Sequence, residues 1–118
     1  MNYELFAEKI KALSDPNRVK ILDLLSCETL CACDLLEHFD FTQPTLSHHI
    51  KVLRDADLIV TEKIGTWHHY SVNRELSTEI TEVLQSVFSS SERCIWHTTI
   101  KEKEEQHEKV SPLLTCPM

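Results

Sequence analysis

Between Tyr3 and Leu13 the apolar residues Leu5, Phe6, Ile10 and Leu13 fall along one side of a helix, with Glu4, Glu8, Lys9 and Lys11 elsewhere. This spacing predicts a short amphipathic first helix. Ser14-Asp15-Pro16 then supplies a capping residue and a proline at the first helical position, where its missing N–H would have no partner anyway. The VKILDLL run that follows (Val19, Ile21, Leu22, Leu24, Leu25) is apolar nearly all round, so the second helix is expected to be the most buried. Ser26 to Leu30 reads as a short connection. Cys31-Ala32-Cys33-Asp34 has the spacing of a cap followed three positions later by an acid, which predicts a third helix over Ala32 to Phe39 with Leu35, Leu36 and Phe39 inward. Asp40-Phe41-Thr42 makes a turn, and Thr42 can cap a fourth helix that starts at Gln43-Pro44 and runs to about Ala56. Leu46, Ile50 and Leu53 form its buried stripe.

The period then changes. LIVTEKIGTWHHYSVN is β-branched and aromatic around Gly65 and predicts a two-stranded hairpin, Leu58–Ile64 and Trp67–Val72, that must lean on the helices. A last helix from Glu75 to about Ser89 buries Leu76, Ile80, Val83, Leu84 and Val87. SSSER, the charged KEKEEQHEK and two prolines predict a partly disordered tail over residues 91–118. Helix, tight turn, helix and hairpin in this order predict a mainly α fold with a β-hairpin wing, a winged helix-turn-helix, within residues 1–90.

Such a fold offers the fourth helix to a DNA major groove, which admits one helix. Near its N-terminus Gln43 suits adenine, Thr45 can meet a thymine methyl, and Ser47 and His48 are flexible donors. Lys51 and Arg54 sit nearer phosphates, and Lys63 on the hairpin can track the neighbouring backbone. One helix reads only a few base pairs. A homodimer on two-fold double-stranded operator DNA is therefore expected, built on the apolar faces that the first and last helices cannot bury in so small a core.

Composition adjusts this picture in three places. The formal charge of −7 argues against nucleic acid at first sight, but residues 42–72 carry three basic and three acidic side chains, so the reading segment is locally neutral. No apolar run of membrane-spanning length and no signal segment is present, so a soluble, cytoplasmic protein without a membrane partner is expected. The five cysteines (Cys27, Cys31, Cys33, Cys94, Cys116) are odd in number and, in a reducing compartment, are thiols open to metal. Enzyme readings find no support. No cysteine has an arginine six positions later, as a phosphatase-like arsenate reductase requires, and one glycine cannot build a phosphate loop.

The runs ALSDPNRVKILDLL, LCACDLLEHF, TQPTLSHHIKVLRDADLI and GTWHHYSV together resemble the ArsR/SmtB family of metal-responsive repressors over roughly residues 5 to 90. Within it, Cys31-Ala32-Cys33-Asp34-Leu35 resembles the arsenic-responsive branch, in which a Cys-x-Cys-Asp-Leu element at the head of the third helix binds trivalent arsenic or antimony. The resemblance implies a dimeric repressor of an arsenical resistance operon, released from its operator when As(III) or Sb(III), the inducer, binds cysteine thiolates, with no catalytic cofactor. The enterobacterial version adds a cysteine where this chain has Leu36. The zinc branch places Asp and His on the last helix, and 75–89 has neither. The cadmium and lead branch adds cysteines near the N-terminus, and none precedes Cys27 here.

Two thiols at i and i+2 diverge by about 200° inside a regular helix. With Cys31 as a non-helical cap they can turn together, and a position facing free N–H groups is expected to favour thiolate. Soft thiolates suit soft ions. A trivalent arsenic centre prefers three sulfurs, so Cys94 is the expected third ligand, with Cys27 or an external ligand as the alternatives. The rival reading keeps the fold and makes the thiols a sensor of cadmium, zinc or oxidation. A Cys-x-Cys disulfide would be strained, which counts against the last of these.

Overall fold

The structure is a computed structural model, and it describes residues 1–89. It comprises α1 (Tyr3–Ala12), α2 (Pro16–Cys27), β1 (Leu30–Cys31), α3 (Ala32–Leu36), α4 (Gln43–Asp55), β2 (Ile59–Ile64), β3 (Trp67–Val72) and α5 (Arg74–Phe88). The chain forms two compact units, Met1–Val83 and Leu84–Met118, and of the second the described part is the end of α5 and Ser89. The expected disorder of 91–118 and the placement of Cys94 and Cys116 lie outside the described residues.

The helix starts follow the sequence. Asn2 caps α1, its side chain accepting from the Leu5 N–H at 2.7 Å, and Asp15 caps α2, accepting from Asn17 and Arg18 at 2.8 and 3.3 Å. Thr42 occupies the cap position of α4 in extended backbone but makes no side-chain capping bond. Here Pro44, which carries no N–H, already removes one of the donors that a cap would satisfy. The end of α4 is closed differently. Leu58 N–H donates to Leu53 O at 3.0 Å and Asp57 N–H to Arg54 O at 2.9 Å, with Asp57 at φ +61°, a Schellman closure in which an aspartate holds the left-handed position usually given to glycine. Asp57 also faces Lys9 of α1, Nζ to Oδ2 at 3.6 Å.

The core is made by Ile21 and Leu25 of α2, Leu35 of α3, Leu46, Ile50 and Leu53 of α4, Leu58, Ile59 of β2, Ile80 of α5 and Ala12 of α1. Burying each of the larger side chains contributes roughly 1.5–3 kcal/mol. The predicted stripe of α4 is borne out in full. Two expectations need correction. The most buried helix is α4, with four buried residues, whereas α2 buries two and leaves Val19 50% exposed. An apolar circumference does not guarantee burial when only one side of the helix meets the sheet and α4. On α1 the buried residues are Lys9 and Ala12, while Leu5 is exposed.

The larger departure is the sheet. The expected hairpin is present, with Ile59↔Val72 through Ile64↔Trp67 in register and a two-residue Gly65-Thr66 connection. Gly65 has φ +63° and Thr66 has no positive φ, the sign pattern of a II′ turn, which favours glycine first. A third strand, however, sits where a plain connection was expected. β1 pairs antiparallel with β3, Leu30↔Tyr70 and Cys31↔His69, giving the order β1-β3-β2. The third helix starts at Ala32 as expected but ends after five residues, because the chain leaves the helix at Glu37 and turns toward α4.

Candidate functional site

Helix α4 presents Gln43, Ser47 and Lys51 four residues apart on one exposed face, with His48 and Arg54 beside them. Thr45 is half-buried on the flank that carries Val52, so it lies off this face rather than on it. Lys63 is exposed on the hairpin, in register with His68, and the next pair outward is Ile64 with Trp67, 54% and 57% exposed. The face is therefore short, polar and mildly basic, with an amphipathic wing tip close by in the chain.

Sequence reasoning passed over what fixes α4 from behind. His49, counted only as one of several histidines, is buried at 7% exposure. Its Nδ1 lies 3.2 Å from Arg18 Nη1, and Arg18 Nε donates to Ala12 O at 2.6 Å. Phe41 packs against the His49 ring at 5.6 Å between centroids and stacks on Phe39 at 4.6 Å. Burial pushes the His49 pKa down, the Arg18 cation and His48 push it further, and Asp15 only partly offsets them. His49 is thus held neutral as an acceptor for Arg18, which ties α4 to both α1 and α2. The signal was available: His49 follows Leu46 by three and precedes Leu53 by four, so it shares their face.

The thiols lie ahead of α4 in the chain, where β1 meets α3. Cys31 is the last residue of β1 and the cap of α3, at φ −87° and ψ 170°, outside the helix as expected. Asp34 accepts from the Cys31 N–H at 3.4 Å and from its Sγ–H at 3.2 Å. Cys33, one residue into α3, is exposed, and Cys31 is half-buried. The neighbouring Cys33 is pushed away from thiolate. Partial desolvation, the neighbouring Cys31 thiol, a hydrogen bond with it and the Asp34 carboxylate together push the Cys33 pKa up, and a helix of five residues has little dipole to oppose them. Cys27 is exposed at the end of α2, with its Sγ 3.8 Å from Asp23 O. Among the described residues no three His, Cys, Asp or Glu side chains converge to hold a metal ion, so Cys27 is not gathered with the pair. Cys94 lies outside the described residues. Two adjacent solvent-reachable thiols still fit a thiophilic ion as a donor set.

A family model described as "Bacterial regulatory protein, arsR family" matches residues 15–61. An arsenical resistance operon repressor of Staphylococcus aureus is 50% identical over 95 residues, covering 80% of this chain and 91% of that one. The corresponding repressor of Staphylococcus xylosus is 51% identical over 94 residues, 80% of this chain and 90% of that one. Among solved structures, an ArsR-like transcriptional regulator from Rhodococcus sp. RHA1 superposes with a TM-score of 0.69 over 91% of this chain and 97% of that one, at 19% identity, a likeness of fold. The family match reaches from the cap of α2 through α4 into β2, and the relatives carry it across most of the described residues. The chain belongs to the arsR family of bacterial regulatory proteins, transcriptional regulators rather than enzymes.

Proposed function

We propose that this protein represses an arsenical resistance operon, binding two-fold operator DNA as a homodimer and leaving it when As(III) or Sb(III) is captured by Cys31 and Cys33. The observation that carries the ligand is the pair itself: two thiols one residue apart, brought to one helix cap in a chain about half identical to repressors named for arsenical resistance. Capture needs no redox partner. Arsenous acid exchanges two hydroxyls for two thiols, forming two As–S bonds and releasing two waters, so each thiol proton leaves with a hydroxyl. A raised Cys33 pKa therefore slows capture without preventing it. A third sulfur, from Cys94 or Cys27, or a retained hydroxyl completes the centre.

Gln43 and Ser47 are the base-reading residues in this proposal, with His48 beside them, Thr45 at the margin, and Lys51, Arg54 and Lys63 on phosphates. Dimerisation rests on α1, which leaves Tyr3 and Leu5 exposed, and on α5, where Leu84, Val87 and Phe88 are exposed. No helix among the described residues is long and apolar enough to cross a membrane. The test is fluorescence anisotropy of the reduced protein on its own promoter DNA at fixed salt, with arsenite, antimonite, cadmium, zinc and peroxide titrated in parallel. Arsenite and antimonite are expected to release the DNA, and the Cys31→Ser and Cys33→Ser proteins to stay bound. Release by zinc or peroxide alone, or undiminished arsenite release from both variants, would refute the ligand assignment.

A further inference from the structure

Cys31 belongs to two elements at once. It caps α3, and it is also the inner residue of a strand hydrogen-bonded to the wing. Across the sheet Cys31, His69 and Glu62 stand in one row. The next rows outward on β2 and β3 are Lys63 with His68 and then Ile64 with Trp67. At about 3.3 Å per residue the thiol row lies only ~7 Å along the strands from the exposed wing tip. The other route from Cys31 runs through α3, whose Leu35 packs in the same core as Leu46, Ile50 and Leu53 of α4 but which shares no backbone ladder with that helix.

We infer that metalloid capture at Cys31 acts on DNA through the wing: the β1–β3 ladder is the relay, and His69 on β3 is the residue that couples thiol occupancy to Lys63 and Trp67. This rests on the reading of Cys31 and Cys33 as the capture site. The starting event is local. The Cys31 Sγ–H donates to Asp34 Oδ2 at 3.2 Å, and an As–S bond removes that proton, so the hydrogen bond is lost whenever the ion is taken. Asp34 then retains only the Cys31 N–H contact at 3.4 Å. Replacing the thiol–thiol and thiol–Asp34 hydrogen bonds by two As–S bonds ties Cys31 to Cys33 of α3, so that any readjustment of Cys31 is made against its two-residue pairing with β3. A ladder this short has no further pairs to hold its register, so the displacement passes to His69 and Tyr70. The core stripe of α4, held by Leu46, Ile50 and Leu53, has no such loose joint.

Hydrogen–deuterium exchange on the full reduced chain, with and without arsenite, separates the routes. Arsenite is expected to speed amide exchange over 67–72 by at least about tenfold while 46–53 changes less than twofold. Faster exchange confined to α4 would overturn the relay. Binding is followed on the same samples by the ultraviolet As–S absorption and by thiol titre; if neither changes, the capture site itself fails, and the relay with it. A second arm uses Lys63→Ala/Trp67→Ala protein, which is expected to keep the As–S absorption, with operator affinity compared with and without arsenite in the same variant. A coupling near the upper end of the usual range weakens operator binding about 150-fold in the wild type. In the wing variant the arsenite effect is expected to fall below about tenfold, and an undiminished effect would refute the wing as the carrier.

Discussion

His49 shows how one side chain can set the pH range of the reading helix. Its folded-state pKa is depressed by burial, with the Arg18 cation adding to the effect, so the folded state resists a proton that the unfolded state accepts. The sign follows from linkage. Above the ordinary histidine value of about 6.5 both states are neutral and the contribution is complete, and as pH falls below it the unfolded state binds more protons and stability is lost. Urea unfolding at pH 7.5 and 5.5 should therefore show a larger drop in midpoint for wild type than for His49→Gln, whose amide can still accept from Arg18 without titrating. Equal drops in the two proteins would mean that His49 is not the titrating group. Asp15 works in a lower range. Desolvation raises its pKa, but hydrogen bonds from the Asn17 and Arg18 N–H groups and the Arg18 cation together outweigh it and hold the carboxyl below its usual value, so its capping contribution survives until pH falls below about 4.

Among the elements, α4 divides its labour by face, and substitutions should divide in the same way. If Gln43 and Ser47 read base edges as proposed, Gln43→Ala and Ser47→Ala are each expected to cost about 1–3 kcal/mol on the operator and little on unrelated DNA. Lys51→Ala should weaken both DNAs alike and flatten the salt dependence by about one unit of slope. Parallel anisotropy titrations on operator and scrambled duplex decide this, and equal losses on both from Gln43→Ala would remove that residue from base reading. How much of this was legible in the sequence also varies by element. The span and buried face of α4 could be read because thirteen residues repeat a helical period and Pro44 marks the start. Strand β1 could not. Its two residues carry no alternation of their own, and what makes them a strand is pairing with Tyr70 and His69, nearly forty residues later. In the sequence α3 reads too long for a different reason: Leu35, Leu36 and Phe39 keep a helical spacing although the chain leaves the helix at Glu37. Local pattern located the thiols, whereas tertiary pairing determines what they are attached to.

At the scale of the whole molecule the difficulty is charge. A chain of net −7 approaches a polyanion, and its reading segment is only neutral, so one protomer offers few cations: Lys51, Arg54 and Lys63. Three phosphate contacts give a salt slope of about −3 in log K against log[salt], which is weak by the standard of specific repressors. Pairing two protomers on one duplex doubles the contacts, to a slope of about −5, without changing either surface. On the proposed function, dimerisation is what lets an acidic chain hold DNA, and it would give the exposed Tyr3 and Leu5 of α1 a use. Leu5→Glu places a charge on that face while leaving the core residues of α1 untouched. Sedimentation equilibrium should then find a monomer where the wild type is a dimer, and the salt slope on operator DNA should fall to about half. A wild-type protein that sediments as a monomer yet shows a slope near −5 would mean that each protomer finds its phosphate contacts alone, and the two-fold operator model would have to be abandoned.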